Sequence, residues 1–236
     1  MKKQDNSKEK IGLTALLIGL SLTGGLAQVA TPTDDDSHKK RCANPLIEAQ
    51  LQRRSPGRLQ QINALNAQVR VFGMFSPNAR GAAATVYRIP VVVHVIHNRP
   101  NGNVGGPNNP NISEAQILSQ IQVLNEDYRK VAGTPGGTST NPVAVDTNIE
   151  FYLATKDPSG RPTNGIIRMN YEAKSSFDVF KDLFLLSDIS YWPSNRYLNI
   201  WVVALSNPNY LGYGQFPTAA DTLKGLKTPT NGSMVW

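Results

Sequence analysis

From Thr85 onward, short β-branched runs alternate with one long amphipathic period. Val91-Val92-Val93 with Val95-Ile96, inside the segment 86–96, forms a continuous apolar run and predicts a buried strand. Pro90 lacks a ladder donor, so it is expected at the start of that strand or on an edge. Residues 98–111 are dense in Asn, Gly and Pro and predict a surface loop. The strongest helix starts at Ser113, where Gln116 three residues on completes a capping box. Ile117, Ile121, Leu124 and Tyr128 form its apolar stripe, with Gln120, Gln122, Glu126 and Arg129 mostly outside it. Gly133 is expected to end it as the left-handed residue. A loop to Val145 follows, then strands over 149–155 and 165–171 and a short amphipathic segment over 177–186. Tyr197–Val203 has high strand propensity. Tyr210–Phe216 alternates apolar residues with Gly and Gln as an edge strand does, and a further strand opens near Met234. No internal repeat is present. The order predicts an α+β (α/β-like) fold: a mixed, mostly parallel twisted sheet with a long helix packed on it.

The first 84 residues differ in pattern. Lys2, Lys3, Lys8 and Lys10 precede the apolar run Ile11–Leu22, and Gly25-Leu26-Ala27 offers a small-x-small cleavage pattern. The run is shorter than the ~20 residues needed to span a bilayer, so residues 1–27 read as a signal peptide and the product as secreted, with an uncleaved anchor as the alternative. Residues 28–84 read as a partly helical prosegment, or equally a spacer. Leu46, Ile47 and Leu51 share one helical face, and Leu59, Ile62, Leu65 and Val69 recur at helical spacing between Arg58 and Val71, with Ser55-Pro56-Gly57 between the two. Ser76–Gly81 has the small, polar character of a nicking site, which places activation cleavage at Arg80. The body is then 85–236.

Charge removes one function class. Residues 1–27 carry four basic and two acidic residues, 28–82 eight and four, and 83–236 twelve and eleven. Six of the seven net positive charges therefore lie in residues 1–82, whereas phosphate binding requires Lys and Arg clustered on a folded face. Nucleic acid is excluded as a partner, and no stable membrane association is expected once the signal is removed.

Candidate chemistry is sparse. His94 and His97 are the histidine pair of the body; three positions apart on a strand they point to opposite faces, so they are not expected to share a metal. No G-x-S-x-G elbow supports a serine triad. Glu126 and Asp127 diverge on a helix. The tripeptides starting at Asn111 and Asn231 match the glycosylation sequon, a pattern frequent by chance. Cys42 is the one cysteine, which rules out an internal disulfide framework. It is a buried small hydrophobe, an intermolecular disulfide partner, or a thiol whose basic flank Lys39-Lys40-Arg41 favours the metal-binding form.

The motif order over about 85–236 resembles pappalysin-type (cytophagalysin-type) metzincin zinc metalloproteases. The resemblance is carried by Ile89–His97, Leu124-Asn125-Glu126-Asp127-Tyr128, Ile149–Thr155, Pro162–Ile166, Tyr197–Val203 and Leu211–Pro217. It implies the upper subdomain of a metzincin-like catalytic domain, protein or peptide substrates, catalytic zinc and a calcium requirement in some members. It also implies that Leu211, Gly212, Tyr213, Gly214 and Gln215 align substrate, and that Cys42 is a latency ligand to zinc. The family's H-E-x-x-H-x-x-G-x-x-H, which would follow the strand near Met234, does not occur in this sequence. No catalytic residue or zinc ligand of the mature enzyme carries over, and the chain alone is expected to be inactive, as a real truncation or a gene-model artefact. The alternative is a non-catalytic secreted binding module that keeps the protease sheet.

Overall fold

The computed structural model describes residues 41–75, 85–215 and 234–235. The expected signal peptide and Arg80 lie outside them. The elements in chain order are β1 (Arg41–Cys42), α1 (Asn44–Arg54), α2 (Arg58–Phe75), β2 (Tyr87–His97), α3 (Glu114–Tyr128), β3 (Ile149–Leu153), β4 (Ile166–Asn170), α4 (Leu185–Ile189), β5 (Leu198–Val202), β6 (Tyr210–Gly214) and β7 (Met234–Val235). They form an α+β fold around one sheet of order β1-β6-β7-β5-β2-β3, with β4 also on β2. Every pairing is parallel except β6 with β7.

β2 is the axis of the sheet. β3 pairs with its first half (Tyr87↔Ile149 to Val91↔Leu153) and β4 with its second (Val93↔Ile166 to His97↔Asn170), both along one edge. β5 takes the other edge from Val91↔Leu198 to Val95↔Val202. Pro90 lies inside the strand rather than at its start. Val91 O accepts from Ala154 N on the β3 side. Alternation therefore turns Pro90 toward the opposite edge, one residue before β5 joins, where a missing N–H breaks no ladder bond.

Both faces of the sheet are covered, as a parallel sheet requires. Val91, Val93 and Val95, with Ile200 and Val202, pack on Ile117 and Ile121 of α3 and on Phe151. The opposite face carries Ile96, Trp201 and Val203 under Phe177, Val179, Leu183 and Leu186, and this cluster includes Ala43, Ile47 and Leu51 of the leader. The predicted amphipathic stretch 177–186 is mostly turns, and its regular helix is the short α4. Gly165 enters β4 at φ +72°, where an added Cβ would meet Ala154 N at 2.7 Å, which explains glycine there.

The ends of α3 follow capping chemistry. Ser113 Oγ accepts from Gln116 N at 3.2 Å. At the other end the left-handed residue is Lys130 (φ +46°), not Gly133, which lies in a later turn. Lys130 N bonds to Asp127 O and Val131 N to Glu126 O, the Schellman pattern. Lys130 Nζ also donates to Ala144 O at 2.7 Å, which a glycine could not do.

Asn125 closes the outer edge of β3. Its Nδ2 donates to Phe151 O at 2.9 Å and its Oδ1 accepts from Phe151 N at 2.7 Å, so one side chain stands in for a neighbouring strand. Asn125→Ala leaves both backbone groups unpaired beside the core. It should lower unfolding stability by about 2 kcal/mol, read as a lower urea midpoint with an unchanged slope; an unchanged midpoint would refute the clamp.

Candidate functional site

β6 was expected at the sheet margin. It lies one strand in, because β1 from the leader pairs with it in parallel: Arg41↔Tyr210 and Cys42↔Gly212, with a register irregularity between them. The contact continues past the two-residue strand. Ala43 N donates to Gly212 O at 2.8 Å, and Gly214 N donates to Asn44 Oδ1. On its other edge β6 meets β7 antiparallel, Tyr213↔Val235 and Gly214↔Met234.

The five candidate aligning residues are thus adjacent but not equivalent. Leu211 is 59 % exposed, whereas Tyr213 is buried in the cluster beneath α1. Burial, with the nearby Asp182 carboxylate second, pushes the Tyr213 phenol above its ordinary pKa, so it stays neutral. Gln215 is buried with its amide Nε2 unpaired among the described residues. What β6 offers chemically is backbone: alternating donors and acceptors able to take an added strand. Those of Gly212 and Gly214 are occupied by Ala43 and Asn44 of the same chain.

Asn44 was not singled out in the sequence. Its Oδ1 accepts from Gly214 N and from the Cys42 thiol, at 3.0 Å from Sγ. Cys42 is a free, exposed cysteine, so the buried-hydrophobe reading of this residue does not hold. Among the described residues no group of three or more His, Cys, Asp or Glu is placed to hold a metal ion. Zinc therefore has no seat among them, and neither does a calcium ion held by acidic side chains.

The two histidines occupy opposite faces, and both are buried. His97 Nδ1 accepts from Arg99 N at 3.1 Å; its pKa is lowered by burial and then by the Arg168 cation. Arg168 bonds Asn111 Oδ1 and Ile112 O. Asn111 is fully enclosed, its Nδ2 donating to Gly102 O and Asn103 O, so the first sequon is a loop anchor and not an accessible acceptor. His94 sits between Ser190 Oγ (2.7 Å from Nδ1) and Asn199 Oδ1 (2.9 Å from Nε2), stacked on Trp201. Asn199 Nδ2 donates to Trp192 O, which turns Oδ1 toward the ring and assigns the proton to Nε2. Nδ1 then accepts from Ser190. Desolvation, only partly offset by Asn199, lowers the His94 pKa from 6.5 to about 4. A neutral, enclosed imidazole with both nitrogens engaged is a brace.

No protein-family model matches the chain, and no curated protein matches it. Solved structures do. Promirolysin of Tannerella forsythia, as a mutant, aligns with 83 % of this chain and 58 % of its own length at 33 % identity and TM-score 0.56. Mirolysin in complex with a compound aligns with 64 % of this chain and 53 % of its own at 37 % identity and TM-score 0.50. The chain is metzincin-like in fold. It spans somewhat over half the length of the structures it matches. Among the described residues no helix is long and apolar enough to cross a membrane.

His94 makes the fold pH-sensitive in a defined window. Its folded pKa is depressed, so its contribution is complete above pH 6.5 and is lost as pH falls toward about 4, while the unfolded chain takes up a proton that the folded chain refuses. The span corresponds to roughly 3 kcal/mol. His97 adds in the same direction, whereas Asp146, Asp157 and Asp178, lowered by hydrogen bonds from backbone N–H groups, act below that window. Urea midpoints at pH 7 and pH 4.5 should converge in His94→Gln; a wild-type slope in that variant would refute the assignment.

Proposed function

We propose that this chain is the leader and upper catalytic subdomain of a secreted, zinc-dependent endopeptidase precursor of the pappalysin type. Residues 1–27 are its signal peptide, 28–84 its prosegment with cleavage at Arg80, and 85–236 the first part of its peptidase domain. One observation carries the reading. The leader strand β1 lies on β6, the strand that would align substrate, in a chain of which 83 % matches a solved promirolysin at 33 % identity.

In this reading β6 takes an extended protein or peptide substrate by backbone pairing, and Leu211, Gly212, Tyr213, Gly214 and Gln215 set its register. The leader now holds that place, with Ala43 on Gly212 O and Asn44 on Gly214 N. A peptide cannot pair there while they remain. Cys42 is proposed as the latency ligand: it is exposed, lies within the strand contact opposite Gly212, and its thiol donates to Asn44 Oδ1. The described residues offer no zinc seat, so no bond-breaking step is assigned to them.

Expressed from its natural gene, the secreted product should cleave an unfolded protein, with activity abolished by EDTA and restored by zinc, and its mature N-terminus should follow Arg80. Peptide capture without hydrolysis, indifferent to chelator, would instead establish the non-catalytic binding module. Cys42→Ala should shorten the lag before activity appears; an unchanged lag would sink the latency role while leaving the peptidase reading intact.

A further inference from the structure

The leader is attached to the body in two ways, through the covalent chain and through a non-covalent contact that is unusually complete for eleven helical residues. Ala43, Ile47 and Leu51 recur every four residues along one face and are 0 %, 1 % and 4 % exposed. They share a cluster with Phe177, Val179, Leu183, Leu186 and Tyr213 of the body. Around this apolar seam the polar contacts are directional. Gln50 Nε2 donates to Phe180 O at 3.1 Å, the Arg54 guanidinium lies 5.0 Å over the Phe184 ring, and Asn44 and Ala43 take β6 backbone groups.

The bound piece is also preorganised. Arg58, in the first turn of α2, grips Glu48 of α1 through paired bonds at 2.8 Å from Nε and Nη2, both side chains largely buried. β1, α1 and the start of α2 therefore hold together as a strand–helix–turn unit, independent of the link to β2. Preorganisation lowers the ordering cost of association. α2 beyond its first turn contributes little, since Val69 and Val71 are exposed.

We infer that cutting the chain between α2 and β2 does not free β6. The surface formed by β6, Phe177–Phe184 and Leu186 is a binding site for a strand-led amphipathic helix, and residues 41–58 remain on it as a separate, non-covalent subunit. This deepens the prosegment reading and rests on that reading for its meaning, because it makes activation a two-step process. Cleavage removes the tether; exposing β6 requires a second event that displaces or destroys the leader. The covalent link supplies only effective concentration. The seam itself survives the cut.

The full-length chain with a sequence-specific protease site inserted within residues 76–84 tests this. After complete cutting, the N-terminal fragment should co-elute with the body on a native sizing column at micromolar concentration and separate only in denaturant. Separation on the native column overturns the inference. Gln50→Ala should raise the fragment's dissociation constant roughly fivefold, Ile47→Asp on the order of 100-fold or more, and Val69→Asp not at all. Equal effects of the three would show that retention is non-specific and would also overturn it. Should Ile47→Asp fail to fold, the cut Gln50→Ala chain and the wild-type elution still decide. The readout needs no catalysis. Retention or loss of the fragment decides the inference whatever the activity, whereas a product of the natural gene without chelator-sensitive peptidase activity refutes the proposed function alone.

Discussion

A parallel strand with neighbours on both edges has no surface it can leave to water, and β2 is such a strand. Its edges are taken by β3, β4 and β5, and its side chains from Val91 to His97 are all buried. Each face must then be covered by something. α3 covers one face with Ile117 and Ile121. Among the described residues the other has no long helix of the body above it; it is covered by the irregular stretch 171–191 and by the leader's α1. This requirement joins the leader's fate to the body's packing. The helix that completes the core is continuous with the strand that occupies β6, so covering the sheet and occupying β6 are one structural event.

The His94 brace belongs to the same face. Its ring stacks on Trp201, whose indole N–H donates to Ser190 O, and Ser190 Oγ returns to His94 Nδ1. This closed set of contacts fixes the segment after α4 against β5. Trp201 also touches the cluster that receives Ile47. The polar brace thereby orients one wall of the leader's seat. Polar groups this deeply enclosed are tolerable only when every one is paired, and the partners of His94 and Asn199 meet that condition.

Residues with a strong period were legible from sequence. β2, α3 and β5 announced themselves through β-branched runs and a 3.6-residue stripe, and Ser113 caps α3 as its chemistry suggests. The misses have physical causes. Gly133 looked like the helix end because glycine is the cheapest left-handed residue, yet Lys130 takes that place with a second bond to Ala144 O. The stripe of α2 was read correctly as a helix, but periodicity reports amphipathicity and not the presence of a partner; Leu59 and Val69 remain in solvent. For α1 the error ran the other way, since Leu46 was grouped with the packing face and is exposed, while Ala43 seals the seam. β6 was visible as an alternating strand. What lies on it was not, because two residues have no period and Asn44 meets Gly214 across 170 positions.

That separation also bears on how latency can be built. A blocking segment that met only the site would need enough affinity from a few strand bonds, and two-residue pairings supply little. Here the strand contact is brief and irregular, and the holding force comes from a helix buried elsewhere on the same face. Occupation of β6 and anchoring are carried by adjacent residues with different physics: strand hydrogen bonds at 41–43 and the Asn44 side chain on Gly214 N, apolar burial at 43, 47 and 51. Strand bonds are interchangeable with those of any extended peptide, so they confer no preference for the leader over another chain. The helix does, because another extended peptide lying along β6 has no reason to place Ile47 and Leu51 equivalents among Phe177, Leu183 and Leu186. Specific self-occupation of a sequence-tolerant strand therefore requires an anchor outside it, and α1 is that anchor.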